Sequence, residues 1–155
     1  MARDLREILA ALRIAADIER IGDYAANVAK RSTALNLAPP LPHTRGLAVL
    51  GELAVRQVRE VLAAFRDTDA EAAQRVRAQD VEIDTVYTSL FRELLTYMME
   101  DPRAITPSTH LLFMAKNIER IGDHATNIAE NIWFLEHGDD GLPPREKRDG
   151  TNTVV

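Results

Sequence analysis

The chain contains no cysteine among its 155 residues. This absence excludes disulfide bonds, thiolate metal sites and iron–sulfur clusters. Aromatic residues make up only 5% of the sequence, which leaves few rings on which the bases of a single-stranded nucleic acid could stack. The formal net charge is -5, and an acidic balance disfavours binding to a phosphate backbone. We therefore expect no nucleic-acid partner.

Long hydrophobic runs are also missing. The apolar stretches are short and are interrupted by Arg, Glu or Asp, so we expect no segment that inserts into a membrane. The first residues, MARDLREILA, lack the cationic start, apolar centre and small-residue cleavage site of a signal peptide. The missing signal peptide, together with the missing cysteines, predicts a cytoplasmic protein.

Prolines and capping residues divide the chain into four segments with helical periodicity. Residues 35–44 (LNLAPPLPHT) carry three prolines and are predicted to form a linker, and MEDPRAITPSTH carries two more. From Gly138 onward no periodicity is visible, which predicts a flexible tail. The predicted helices are Arg3–Asn36, Arg45–Arg66, Asp69–Glu100 and Thr106–His137. No segment alternates with period two, so the predicted fold class is all-α, with long antiparallel helices.

Apolar residues recur every three or four positions and mark the side of each helix that is expected to face a neighbour. In the first helix this seam is Leu5, Ile8, Leu12, Ala15, Glu19, Gly22, Ala26 and Ala29. In the second it is Leu47, Leu50, Ala54, Gln57 or Val58, Val61 and Phe65. In the third it is Val76, Asp80, Ile83, Tyr87, Leu90, Leu94 and Tyr97. In the fourth it is Leu112, Ala115, Glu119, Gly122, Thr126, Ala129 and Trp133. Three of the four seams therefore contain one acidic position.

Each acidic seam position is followed by a second acid four residues later. The pairs are Glu19 and Asp23, Asp80 and Asp84, and Glu119 and Asp123, and Asn27 and Asn127 extend two of them by one more turn. Residues at this spacing share one helix face, and an unpaired buried carboxylate costs several kcal/mol. If the third and fourth helices form a hairpin that turns near Ala104, the acids of the two helices lie at similar heights. Carboxylate and amide oxygens at one level favour a hard cation, to which His124 could add a nitrogen.

Two other interpretations remain open at this stage. Arg20 and Arg120 follow the two glutamates and could neutralise the acids in salt bridges, as in a purely structural bundle. A carboxylate-bridged metalloenzyme would need an open metal position and a neighbouring base. The sequence lacks the Glu-x-x-His spacing of di-iron bundle enzymes and has no defensible Ser–His–Asp set, so we expect no enzyme.

The doubled ERIGD motif resembles the PhoU family of phosphate-transport regulatory proteins. The matching segments are ARDLREILAALRIAADIERIGDYAANVAKR, VLAAFRDTDAEAA, QDVEIDTVY and FRELLTYMMEDPRAITPSTHLLFMAKNIERIGDHATNIAENIWFLEHG. The resemblance implies two similar three-helix bundles. It makes residues 1–37 the last helix of an incomplete first repeat, 38–44 a linker, 45–137 a complete second repeat and 138–155 a tail. It also implies a site for iron, manganese, magnesium, zinc or calcium. The second repeat would supply Asp80, Asp84, Glu119 and Asp123 with Asn127, and the first repeat would keep a half-site of Glu19, Asp23 and Asn27.

The resemblance further implies a negative regulator of phosphate uptake and of phosphate-starvation signalling. Its expected partners are the ATPase subunit of the phosphate ABC transporter and a sensor histidine kinase. The two helices that precede residue 1 in the family would be missing, through truncation, a start-site error or replacement by a partner chain. The first helix would then expose an apolar stripe unless it joins a four-helix bundle or pairs with another protomer. We expect a homodimer.

Overall fold

The computed structural model describes residues 3–37, 41, 44–138, 141, 142 and 144. It contains four long helices: α1 (Arg3–Leu35), α2 (Arg45–Asp67), α3 (Ala70–Glu100) and α4 (Ile105–His137). A short 3₁₀ helix, Pro102–Ala104, precedes α4. The described part of the chain contains no strand, which confirms the all-α prediction. Most of the predicted linker and nearly all of the predicted tail lie outside the described residues.

The turn between α2 and α3 is fixed by two adjacent residues. Thr68 has a left-handed backbone with φ of 50°, and its N–H bonds back to the last turn of α2. Asp69 caps α3, because its carboxylate accepts a hydrogen bond of 2.8 Å from the N–H of Ala72. The tight turn sets α2 and α3 side by side.

The turn between α3 and α4 is similarly local. Asp101 ends α3, and its carboxylate accepts a hydrogen bond of 3.0 Å from the N–H of Arg103. Pro107 then lies in the first turn of α4, where a backbone N–H has no partner within the helix. The proline therefore removes no helical hydrogen bond, and α4 continues to His137.

Helix α4 lies at the centre of the bundle and packs against the three other long helices. Two clusters of buried apolar side chains form the core. One surrounds Leu50, Tyr87 and Leu111, and the other surrounds Val61 and Ile128. Within the described residues the backbone of α1 approaches α4 and neither α2 nor α3. Helices α2, α3 and α4 thus form a three-helix unit, and α1 is added to one side of α4.

The predicted seam of α1 faces no other described helix, and it is the exposed apolar stripe that the resemblance implied for a chain without the two preceding helices. All eight of its positions, from Leu5 to Ala29, lie exposed, and α1 instead packs through the opposite face, which carries Ala10, Ile14, Ile21 and Val28. The physical reason is that α1 has two apolar faces and meets only one helix, α4, in this fold. The seams of α3 and α4 are mostly buried, as predicted.

None of the described helices contains an apolar stretch long enough to cross a lipid bilayer.

Candidate functional site

A layer of buried polar side chains separates the two apolar clusters of the core. Asp80 is 2% exposed, Asp84 is 1% exposed and Glu119 is 1% exposed, and Gln57 and Thr126 are buried with them. Gln57, Asp80 and Glu119 each fall, along their own helix, between residues of one cluster and residues of the other. Acids in such a place need compensating partners, because burial penalises the ionised carboxylate.

Gln57 of α2 occupies the middle of this layer. Its Nε2 lies 3.5 Å from Asp80 Oδ1, 3.3 Å from Thr126 Oγ1 and 3.5 Å from the carbonyl oxygen of Val76. Thr126 in turn donates to the carbonyl oxygen of Gly122 at 3.1 Å. One amide therefore links α2, α3 and α4. The sequence placed Gln57 or Val58 on the seam of α2 and did not identify this role.

Gly122 is required by the close approach of these helices. A Cβ atom at this position would lie 2.9 Å from Ile83 Cδ1, 3.0 Å from Gln57 Oε1 and 3.4 Å from Asp80 Oδ1. Gly122 lies in the middle of α4, where glycine is unfavourable for helix formation. At Gly122 the missing side chain makes room for the polar layer. At Gly22 a Cβ would meet nothing within 4 Å.

Glu119 is neutralised by a lysine of its own helix. Lys116 Nζ lies 2.9 Å from Glu119 Oε2, and the same ammonium group lies 5.0 Å from the centre of the Tyr87 ring. The arginines considered from the sequence lie elsewhere. Arg20 pairs at 3.8 Å with the exposed Asp23, and Arg120 donates to Tyr24 Oη at 3.4 Å. The signal for Lys116 was present in the sequence, since residues three apart share a helix face.

Of the five residues predicted for the second-repeat site, the structure buries three between α3 and α4. Asp80, Asp84 and Glu119 are those three, whereas Asp123 is only partly buried. Asn127 contacts the first helix, where its Nδ2 donates to Asp17 Oδ1 at 3.3 Å. The amide of Asn127 is therefore engaged with α1.

The predicted half-site on α1 lies at the surface. Glu19, Asp23 and Asn27 are all exposed, on the same side of α1 as the exposed seam. Their helix presents no acids to α3, because α1 contacts α4 with its other face. Within the described residues, nothing faces this half-site across a groove.

A second polar cluster joins α1 to α4, and the sequence did not predict it. His124 Nδ1 lies 2.7 Å from Asp17 Oδ1, in a half-buried pair. The rings of Tyr24 and His124 lie with their centres 5.6 Å apart. His124 is thus directed to α1. Tyr24 follows the first copy of ERIGD and His124 follows the second, so the residue after the motif differs between the two copies. Both of these residues lie in this cluster.

The buried acids meet one requirement of a metal site and fall short of another. The three buried carboxylates have the oxygen chemistry that hard cations prefer. Yet the described residues contain no group of three or more His, Asp or Glu side chains placed to hold a metal ion. The chemistry of the layer therefore fits a hard cation, and the arrangement of its side chains does not form a complete ligand set.

Comparisons with known proteins relate the whole chain to one family. The family model of the PhoU domain matches residues 1–32 and 47–132. A phosphate-specific transport system accessory protein PhoU homolog from Xylella fastidiosa (strain 9a5c) is 66% identical over 154 residues, which is 99% of this chain and 65% of the relative. The homolog from Rhizobium meliloti is 57% identical over 155 residues, again 99% of this chain and 65% of the relative.

Solved structures agree with this assignment. The crystal structure of PhoU from Pseudomonas aeruginosa superposes with a TM-score of 0.86 at 40% identity, and the match covers 89% of this chain and 66% of that one. The phosphate transport system regulatory protein PhoU from Streptococcus pneumoniae superposes with a TM-score of 0.81 at 29% identity, over 90% of this chain and 66% of that one. The chain spans about two thirds of the length of these relatives. Because the family model matches residues 1–32 and 47–132, which is most of the sequence, the chain belongs to the PhoU family.

Proposed function

We propose that the chain is a negative regulator of phosphate uptake and of the phosphate-starvation response. The observation that carries this proposal is the identity of 66% to a protein named as an accessory of the phosphate-specific transport system. The match covers 99% of the chain. The proposed mode of action is binding, without catalysis, and the proposed location is the cytoplasm.

The proposed partners are the ATPase subunit of the phosphate ABC transporter and its sensor histidine kinase. The direct test is to measure, by surface plasmon resonance, the equilibrium binding of the purified chain to the purified ATPase subunit. Saturable binding supports the proposal. A signal no larger than that of an unrelated helical bundle of similar charge contradicts it.

The polar layer is proposed to bind a metal ion, with Asp80, Asp84 and Glu119 as its central oxygen donors. The support is the burial of three carboxylates, whose oxygens are the donors that hard cations prefer, on two adjacent helices. A resident cation would supply the positive charge that such a layer needs. Asp123 lies one turn beyond Glu119 and is the further candidate donor.

Calorimetric titration with manganese tests the metal proposal. We expect binding to the parent chain and its loss in the double variant Asp80→Asn, Asp84→Asn. The matched control is Glu52→Gln, an exposed acid on α2 outside the layer. Equal manganese binding by the double variant and the parent would contradict the assignment of these residues.

The chain is also proposed to form a homodimer. The support is the exposed apolar seam of α1, since a stripe of this kind on a helix commonly marks an interaction surface. Light scattering of the purified chain tests self-association.

A further inference from the structure

Lys116 lies at the boundary between the buried acid layer and solvent. Its Nζ is 2.9 Å from Glu119 Oε2, and the Lys116 side chain is 35% exposed whereas that of Glu119 is 1% exposed. The ammonium group also lies 5.0 Å from the centre of the Tyr87 ring, which is close enough for a cation–π attraction. Glu119 is therefore held inside the protein, and its cationic partner lies at the edge.

Gln57 gives an independent sign that the layer accommodates a further positive group. Its side chain is 1% exposed. Its Nε2 faces three acceptor oxygens, of Asp80, Thr126 and the Val76 backbone, and a flipped amide would turn an oxygen towards them instead. In this orientation Gln57 Oε1 has no hydrogen-bond partner among the described residues. A buried acceptor of this kind is rare in proteins, and a cation bound among the neighbouring acids would supply the partner.

We propose that Lys116 competes with the metal ion for Glu119, so that the ammonium group has to leave before this carboxylate can ligate a cation. The inference rests on the metal site proposed above and names the residue that sets its affinity. Glu119 Oε2 already lies within hydrogen-bonding distance of the ammonium group. A metal ion on the same oxygen would place two positive charges side by side at a buried position, where like charges repel more strongly than in water.

The ammonium group of Lys116 can move into solvent without any movement of α4. A lysine has a flexible four-carbon stem, so its charged end can turn towards water while the stem stays on the protein surface. Glu119 has no such route, because it is buried. Metal binding would thus transfer one positive charge from the acid layer to the surface of α4. The same step would uncover the face of the Tyr87 ring.

Calorimetric titration of Lys116→Gln with manganese tests the competition. The glutamine amide can still donate a hydrogen bond to Glu119, but it carries no charge. We expect Lys116→Gln to bind manganese at least about tenfold more tightly than the parent chain, because a positive charge beside the ion is removed. Lys116→Arg keeps the charge and should bind no more tightly than the parent. Lys30→Gln, at an exposed lysine on α1, is the matched control.

Chemical labelling follows the ammonium group directly in the parent chain. The sequence contains three lysines, so the acylation of each can be followed by mass spectrometry of its peptide. Without manganese we expect Lys116 to react more slowly than the exposed Lys30, since its ammonium group is held by Glu119. Saturating manganese should speed the reaction of Lys116 several-fold and leave that of Lys30 unchanged.

The outcomes separate this inference from the metal proposal. Manganese binding of equal or lower affinity in Lys116→Gln overturns the competition and keeps the metal site. No binding by either protein overturns both. Binding by Lys116→Gln alone supports the inference, with the lysine acting as a complete block in the parent chain. If circular dichroism shows that Lys116→Gln does not fold, the labelling decides: a rate at Lys116 that manganese leaves unchanged overturns the inference.

Discussion

Two glycines in nearly identical sequence contexts should respond in opposite ways to the same substitution. Gly22 and Gly122 each stand in an IERIGD segment in the middle of a long helix. In α1 a new Cβ meets open space, and in α4 it meets Ile83 and Gln57 at 2.9 and 3.0 Å. The two positions share local helix propensity and differ in what surrounds them, so each is the control for the other.

The magnitudes follow from two opposing effects. Replacing glycine by alanine in a helix interior stabilises the fold by about 1 kcal/mol. Overpacking a well-filled core costs about 1–3 kcal/mol. Gly22→Ala should therefore raise the free energy of unfolding by about 1 kcal/mol. Gly122→Ala should change it by between about 0 and −2 kcal/mol, because Ile83 and Gln57 are buried and have little room to move.

The assay is urea unfolding followed by far-ultraviolet circular dichroism, at a concentration low enough to keep the chain monomeric. A difference of about 1–3 kcal/mol between the two variants is expected, and each kcal/mol corresponds to a shift of about 2–4 °C in melting temperature. Equal stabilisation by both alanines would refute the close approach of α2, α3 and α4 at Gly122.

Three further predictions concern stability. Asp69→Ala should lower the free energy of unfolding by about 1 kcal/mol in urea, since it removes the cap of α3, and no change would contradict that role. Ile132→Ala should lower the free energy of unfolding by about 2–5 kcal/mol, because Ile132 is fully buried. Leu12→Ala should change it by less than about 0.5 kcal/mol in the monomer, because Leu12 is exposed. Equal losses would contradict the packing of α1. The Arg103 side chain holds the pKa of Asp101 below its ordinary value, so this carboxylate stabilises the fold above that ordinary pKa, and the effect is lost as the pH falls through the lowered one. Asp101→Asn should flatten this part of the acid limb in melting temperature against pH, and an unchanged limb would contradict the contact.

Much of the fold was predictable because its signals are local. Prolines, capping residues and apolar periodicity set the ends of all four helices to within one residue. The cap at Asp69 depends only on the next three residues, and the 3₁₀ turn after Asp101 depends on the next two. Signals of this kind do not require knowledge of which helices pack together.

The packing of α1 was not predictable from periodicity. Leu5, Ile8 and Leu12 form one apolar stripe, and Ala10, Ile14 and Ile21 form part of another. A helical wheel shows both stripes and does not say which one meets α4. The choice depends on how well each stripe fits a distant helix, and that information is absent from the local pattern.

The buried site was predictable in its acids and not in their partners. Asp80 and Glu119 fall on seams, so their burial follows from the period of the helix. The contact of Asp80 with Gln57 joins positions 23 residues apart on different helices, and the pair of His124 with Asp17 spans 107 residues. Such contacts depend on the register between helices, which single-chain spacing does not fix.

Uptake of labelled phosphate tests whether the chain represses phosphate uptake and whether its buried acids are needed for that repression. The chain, its double variant Asp80→Asn, Asp84→Asn and the control Glu52→Gln would be expressed in a bacterial host that lacks its own PhoU protein. We expect the parent and the control to reduce uptake to the same level, and the double variant, present in equal amount, not to reduce it. Equal repression by all three would contradict a regulatory role for the buried acids, and no repression by any of them would contradict the proposed function of the chain.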